Sequence, residues 1–125
     1  MHQNFRIGID IVSVKKFKKK EYSKNKVFYK RFFSPNEIKY CVKYKNTSER
    51  FAGKFALKEA LIKSLDIKIT FSEIETSHLN SKPLVCIKKN KKIIILLHLC
   101  LMKMNLQLQL LYLKKLNNLL FYFFT

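Results

Sequence analysis

Apolar and polar positions alternate near the start of the chain. Phe5, Ile7, Ile9 and Ile11 are separated by Arg6, Gly8 and Asp10. A two-residue period predicts a strand with one buried face. The isoleucines are the expected buried set, which places Asp10 on the other, solvent side. Over residues 51–65 the period becomes helical. At about 100° per residue, Phe51, Ala52, Phe55, Ala56 and Ile62 share one side. Glu59 falls in the middle of that side, where a carboxylate loses solvation unless a cation or metal partners it. Lys54, Lys58 and Lys63 lie on the same helix about one turn apart. The plain reading is a solvated amphipathic helix with a Glu59–Lys63 pair at i,i+4.

Between these two stretches lies a basic run. Residues 14–30 hold Lys15, Lys16, Lys18, Lys19, Lys20, Lys24, Lys26 and Lys30, with Phe17, Tyr22, Val27 and Phe28 as apolar anchors. The pattern suits a basic helix or loop. It is either a solvated face or a docking surface for an acidic partner. Ser34, Pro35 and Glu37 then give a helix start: a cap, a proline at the first helical position and the third-position carboxylate of a capping box. Ile38, Cys41 and Val42 form its apolar stripe, and the helix is expected to end before Asn46. Beyond the central helix, residues 66–72 read as a short strand that 74–77 extend or follow. Residues 78–81 read as a turn. Residues 82–87 read as an edge strand with Pro83 near its start, and 88–92 as a lysine run.

A chain of 125 residues supports one domain, and 48% hydrophobic residues can build a core. With 26 basic against 8 acidic residues the net charge is +18, which favours polyanions, anionic membranes, phosphorylated ligands or an acidic protein. Lys, Asn, Ile, Phe, Tyr and Leu can all use A/T-rich codons, so base composition is a second source of that charge. Cys41, Cys86 and Cys100 are odd in number and form no CxxC. His2, His78 and His98 show no ligand spacing. Neither a disulfide framework nor a zinc site is expected, which suits a reducing compartment. The apolar stretch at 5–12 is too short for a signal peptide and carries Arg6 and Asp10.

Two motifs in this order, Gly8-Ile9-Asp10-Ile11-Val12 and the 51–65 run containing Phe55-Ala56-Leu57-Lys58-Glu59-Ala60, resemble a known family. Arg31-Phe32-Phe33-Ser34 followed by Glu37 adds to the match. The pattern, over roughly residues 5–87, is similar to holo-[acyl-carrier-protein] synthases, the small trimeric type of 4′-phosphopantetheinyl transferase. The resemblance implies an α+β domain with a twisted antiparallel sheet packed against a long central helix. It implies Mg²⁺-dependent transfer of 4′-phosphopantetheine from coenzyme A to a serine of apo acyl carrier protein, in support of fatty acid biosynthesis. A cytoplasmic homotrimer with active sites between subunits is the implied setting.

By the same resemblance, Asp10 and Glu59 are the metal ligands and Lys58 faces the phosphates. Lys63 and Lys54 lie near coenzyme A, and Lys16 and Arg31 meet the carrier protein. Lys16 and Lys54 stand where the family commonly has arginine, so charge is kept but the bidentate fork is lost. Asp66 and Ser81 replace family glycines, which alters local turns more than chemistry. The chemistry suits these residue types. Displacement at a pyrophosphate spreads negative charge over non-bridging oxygens, so positioning and electrostatics carry catalysis. One or two carboxylates with substrate phosphates are the usual Mg²⁺ ligands. Structural carboxylates are the competing reading of Asp10 and Glu59.

The resemblance covers the domain at 1–92 and stops there. Residues 93–125 are an atypical, Leu- and Phe-rich tail. As a membrane span it is interrupted by Lys103, Asn105, Gln107 and Gln109. As a surface helix it would contact a membrane or a partner. As a third reading, it is an out-of-frame replacement of the family's last strand. Shifted by one base, Met102-Lys103-Met104-Asn105 gives Glu, Asn or Asp, then Glu. The same shift lets residues 106–110 read Ala-Ile-Ala-Ile-Val. Two rival functions stand beside the transferase. One is a basic nucleic-acid-binding module, supported by charge and aromatics but lacking a recognised motif. The other is a membrane-surface protein held by its tail.

Overall fold

A computed structural model describes residues 5–79, 82–88, 92–97, 100–103, 106–116 and 119–123. Side chains are described for residues 10–78 and 84–88. Strand β1 (Phe5–Ser13) leads into helices α1 (Val14–Lys19), α2 (Lys26–Phe32), α3 (Pro35–Val42) and α4 (Thr47–Ser64). Strands β2 (Ile74–Leu79), β3 (Lys82–Ile87), β4 (Lys92–Leu97), β5 (Cys100–Lys103), β6 (Leu106–Leu116) and β7 (Leu119–Phe123) follow. They form one sheet in the order β1-β6-β7-β4-β3-β2, with β5 paired to β6. All pairings are antiparallel except β4 with β7. The α+β class and the long helix against a mostly antiparallel sheet match the expectation.

Helix α4 is the centre of the packing. Ala52, Ala56 and Ala60 recur every fourth residue and are fully buried, so neighbouring elements can approach its backbone closely. Toward its N-terminal half, Phe51 packs with Phe17, Tyr29, Phe33, Ile38 and Cys41. Phe51 and Tyr29 are 4.4 Å apart between ring centroids. Toward its C-terminal half, Leu57 and Leu61 pack with Ile69, Ile74, Val85 and Ile87 of the sheet side. Truncating a fully buried ring such as Phe51 to alanine costs about 3–5 kcal/mol on typical values. The α3 start is built as expected: Glu37 N–H donates to Ser34 Oγ and Ser34 N–H donates to Glu37 Oε2, with Pro35 at the first turn.

Several expectations are corrected. Among the described side chains of β1, Asp10 (8% exposed) and Val12 (6%) are buried, whereas Ile11 is 60% exposed. The face carrying Asp10 and Val12 is the one covered by α4, since Val12 belongs to the core cluster of Phe51, Ala52 and Ala56. Helix α4 starts at Thr47 rather than 51. Residues 66–70 are not a strand. Thr70 and Glu73 instead close a capping box around a 3-10 turn at Phe71–Glu73. His78 and Leu79 continue β2 rather than turning, while Asn80 and Ser81 lie outside the described residues. Strand β3 is interior, flanked by β2 and β4, with Pro83 opposite His78 near the sheet's end. The described backbone of the tail is extended, not helical, and β6 runs along all of β1 with Asp10 opposite Gln109. Among the described residues no helix is long and apolar enough to cross a membrane.

Candidate active site

Asp10 sits near the end of β1, and α4 crosses that strand. The crossing brings two of the predicted ligands within electrostatic reach of each other. The Asp10 carboxylate is nearly closed to solvent and accepts from Lys63 Nζ at 2.6 Å. Glu59, one turn before Lys63, is half-buried beside them. Burial pushes the Glu59 carboxyl above its ordinary value, and the Asp10 charge pushes it further; Lys63 and Lys16 oppose both. The hydrogen bond to Asp10 raises the Lys63 ammonium above its usual range; burial opposes this, and the charges of Asp10 and Glu59 add to it. The expected Glu59–Lys63 pair is therefore replaced by Lys63–Asp10, with Glu59 acting on both through charge.

This arrangement fits a hard divalent cation. A strand carboxylate and a helix carboxylate lie within electrostatic reach of each other, burial and then the Asp10 charge raise Glu59, and a cation already stands on Asp10. An all-oxygen pair that leaves positions for substrate phosphates is what Mg²⁺ takes. No third His, Cys, Asp or Glu joins the cluster among the described residues. Lys16, exposed on α1, lies with its Nζ 5.3 Å from the Phe55 ring centroid, on the same side as Glu59. Arg31 is exposed in the last turn of α2.

Lys58 and Lys54, expected to face phosphates and coenzyme A, are buried away from the Asp10–Lys63 pair and bonded to other groups. Lys58 is 1% exposed. Its Nζ donates to Glu37 Oε2 at 2.7 Å, to Phe32 O at 2.8 Å and to Phe71 O at 3.4 Å. Three acceptors match the three protons of an ammonium, so as placed none is left for a ligand. Lys54 Nζ donates to Thr76 Oγ1 at 2.7 Å and to Thr76 O at 3.4 Å, and lies 4.7 Å from the Tyr40 ring centroid. Burial lowers both ammonium groups from their usual range, with Glu37 pulling the other way. A lysine can enter the core only with such partners.

Glu37 is the residue the sequence reading missed. It was legible only as the third residue of a capping box. Its Oε2 also receives Lys58, and its Oε1 receives the backbone N–H of Thr76 at 2.8 Å and the Thr76 hydroxyl. Counting Ser34 N–H, the carboxylate accepts four hydrogen bonds, its full capacity. One signal could have found it. With only 8 acidic residues in the chain, a lysine set among Ala56, Leu57 and Ala60 had few carboxylates to choose from. A groove of about 630 Å³ lined by Tyr22, Lys30, Phe33, Pro35, Ile38, Lys39 and Val42 contains none of the predicted site residues.

Comparison with known proteins identifies the family. Residues 6–100 match the family model described as the 4′-phosphopantetheinyl transferase superfamily. A holo-[acyl-carrier-protein] synthase of Mycoplasma capricolum is 41% identical over 81 residues, covering 63% of this chain and 69% of that protein. The crystal structure of the Helicobacter pylori holo-[acyl-carrier-protein] synthase in complex with coenzyme A superposes with a TM-score of 0.67 at 31% identity, over 87% of this chain and 99% of that one. The Neisseria meningitidis enzyme of the same name shares the fold with a TM-score of 0.67 at 20% identity, over 89% and 98% of the two chains.

Proposed function

The chain belongs to the 4′-phosphopantetheinyl transferase superfamily, and we propose that it transfers 4′-phosphopantetheine from coenzyme A to a serine of apo acyl carrier protein. The reaction serves fatty acid biosynthesis and uses Mg²⁺. The observation that supports this reading is the Lys63 ammonium 2.6 Å from Asp10 where α4 packs on β1, with Glu59 of the same helix in electrostatic reach of both.

Asp10 and Glu59 would hold the cation. When bound, it supplies charge neutralisation at the pyrophosphate of coenzyme A. The remaining work falls to this chain's own groups. The serine hydroxyl attacks the phosphorus that carries pantetheine, and the nucleotide phosphate leaves. Charge then grows on non-bridging oxygens, and fixed cations nearby lower that barrier. Lys63 is suited to this: its side chain is 54% exposed on a long stem and sits at the rim of the carboxylates. Lys16, on the same side, adds a second positive charge. Lys16, Arg31 and the lysine-rich α1–α2 stretch would meet an acidic carrier and raise its encounter rate. The homotrimer that the resemblance implies would cover exposed Ile11 of β1. Free Cys41 and Cys86 suit a reducing, cytoplasmic setting.

The nucleic-acid-binding alternative gains nothing from the fold or the comparisons. The test is the intact mass of apo acyl carrier protein after incubation with coenzyme A and Mg²⁺. The expected result is a gain of one phosphopantetheine, stopped by a chelator and by Asp10→Ala or Glu59→Ala in folded protein. Full transfer by both variants would refute the ligand roles. Salt-dependent nucleic-acid binding without transfer would put the alternative first.

A further inference from the structure

Lys58 and Glu59 are consecutive residues of α4 with opposite fates. Lys58 is closed in the core, whereas Glu59 is half-buried within electrostatic reach of Asp10. Consecutive residues are about 100° apart around a helix, so whatever fixes one fixes the direction of the other. Lys58 Nζ is held by the backbone at the end of α2 (Phe32 O), by α3 (Glu37 Oε2) and by the 3-10 turn before β2 (Phe71 O). Thr76 of β2 closes the group by donating to Glu37 and accepting from Lys54, one turn before Lys58.

We infer that Glu37, Lys58 and Thr76 form a positioning clamp that sets the rotation of α4 and so aims Glu59 at Asp10. The inference rests on the reading that Asp10 and Glu59 hold a divalent cation. Side chains reach about 5–6 Å from a helix axis, so a rotation of about 20° would carry the Glu59 carboxylate about 2 Å. Metal–ligand distances tolerate only about 0.2 Å. Phe51, Leu57 and Leu61 resist that rotation by packing, while the alanines at 52, 56 and 60 present small, similar surfaces, so the polar contacts add a directional restraint. A lysine fixed by three acceptors from three elements is a strong one. None of the three clamp residues touches the reacting atoms; they act through Glu59.

The test measures Mn²⁺ affinity by electron paramagnetic resonance beside thermal melting, on the full chain and four variants. Asp10→Ala is the control for the metal site. Glu37→Gln combined with Lys58→Met removes both charges of the clamp together, which a fold tolerates far better than removing one. Thr76→Val removes the hydroxyl at near-constant shape, and Thr76→Ser keeps it. The expected result is a Mn²⁺ affinity lower by about 10–100-fold in the folded double variant and lower in Thr76→Val, with Thr76→Ser close to the parent. A folded double variant that binds Mn²⁺ like the parent, while Asp10→Ala does not, would overturn the clamp and leave the metal site standing. Unchanged binding by Asp10→Ala would overturn the metal reading and the clamp with it. Should the double variant fail to fold, the threonine pair decides: equal Mn²⁺ affinities in Thr76→Val and Thr76→Ser would overturn the clamp.

Discussion

Glu37 Oε2 and Lys58 Nζ are 2.7 Å apart with side chains 0% and 1% exposed. A charge pair this deep is stable only as a pair. Removing Glu37 leaves an uncompensated ammonium in the core. Glu37→Ala is therefore expected to destabilise the fold by about 3–5 kcal/mol. Urea unfolding checks this. A loss under about 1 kcal/mol would show that water or another acceptor replaces Glu37.

The Lys63–Asp10 pair should behave in the opposite way. Lys63 is 54% exposed, and exposed pairs contribute about 0–1 kcal/mol. Lys63→Ala should leave the melting temperature almost unchanged. Transfer should nevertheless fall by about 10²–10³-fold if its charge stabilises developing phosphate charge. Single-turnover transfer rates beside calorimetry separate the two effects. A large loss of stability with little loss of rate would reverse the assignment.

How much of this was legible in the sequence depends on range. The capping box at Ser34 and Glu37 and the helical period through Phe51 were readable, because they are set by residues three or four apart. Asp10 and Glu59 were brought together by motif resemblance. The buried face of β1 was misread, because alternation gives two faces and only the docking of α4 decides which is covered. The burial of Lys54 and Lys58 was hidden for a similar reason. A lysine at the right helical spacing looks solvated until Glu37 and Thr76, 21 and 18 residues away from Lys58, supply its environment. The 66–72 segment had strand-like composition, yet Thr70 and Glu73 satisfy their own backbone locally.

Cys41 should be a poor nucleophile. Burial pushes its thiol from 9.0 up to about 12, with Lys54 opposing and Glu37 adding to the rise. That shift cuts the thiolate fraction at neutral pH by roughly a thousand-fold. The sign for stability follows. The folded state keeps a proton that the unfolded state has lost, so this contribution is present below pH 9.0 and disappears as pH rises through about 12. Iodoacetamide mapping by mass spectrometry at pH 8 should label half-buried Cys86 well before Cys41. Equal labelling in native protein would contradict the burial.

The tail carries its own prediction. The family match ends at residue 100, and we propose that a frame change produced the sequence beyond the lysine run. A chain whose tail is re-framed over residues 100–113 should be more soluble and transfer faster than the chain as it stands. Sequencing the coding DNA across codons 86–113 is the direct check. Codons that cannot encode Ala-Ile-Ala-Ile-Val in the shifted frame would end the proposal.

The most direct measurement of the proposed chemistry is anomalous diffraction from crystals grown with Mn²⁺ and coenzyme A. A Mn²⁺ peak bridging the Asp10 and Glu59 carboxylates, with Lys63 turned from Asp10 toward the phosphates, is the expected result. Lys63 still paired with Asp10, and Mn²⁺ bound to coenzyme A phosphates without either carboxylate, would contradict it.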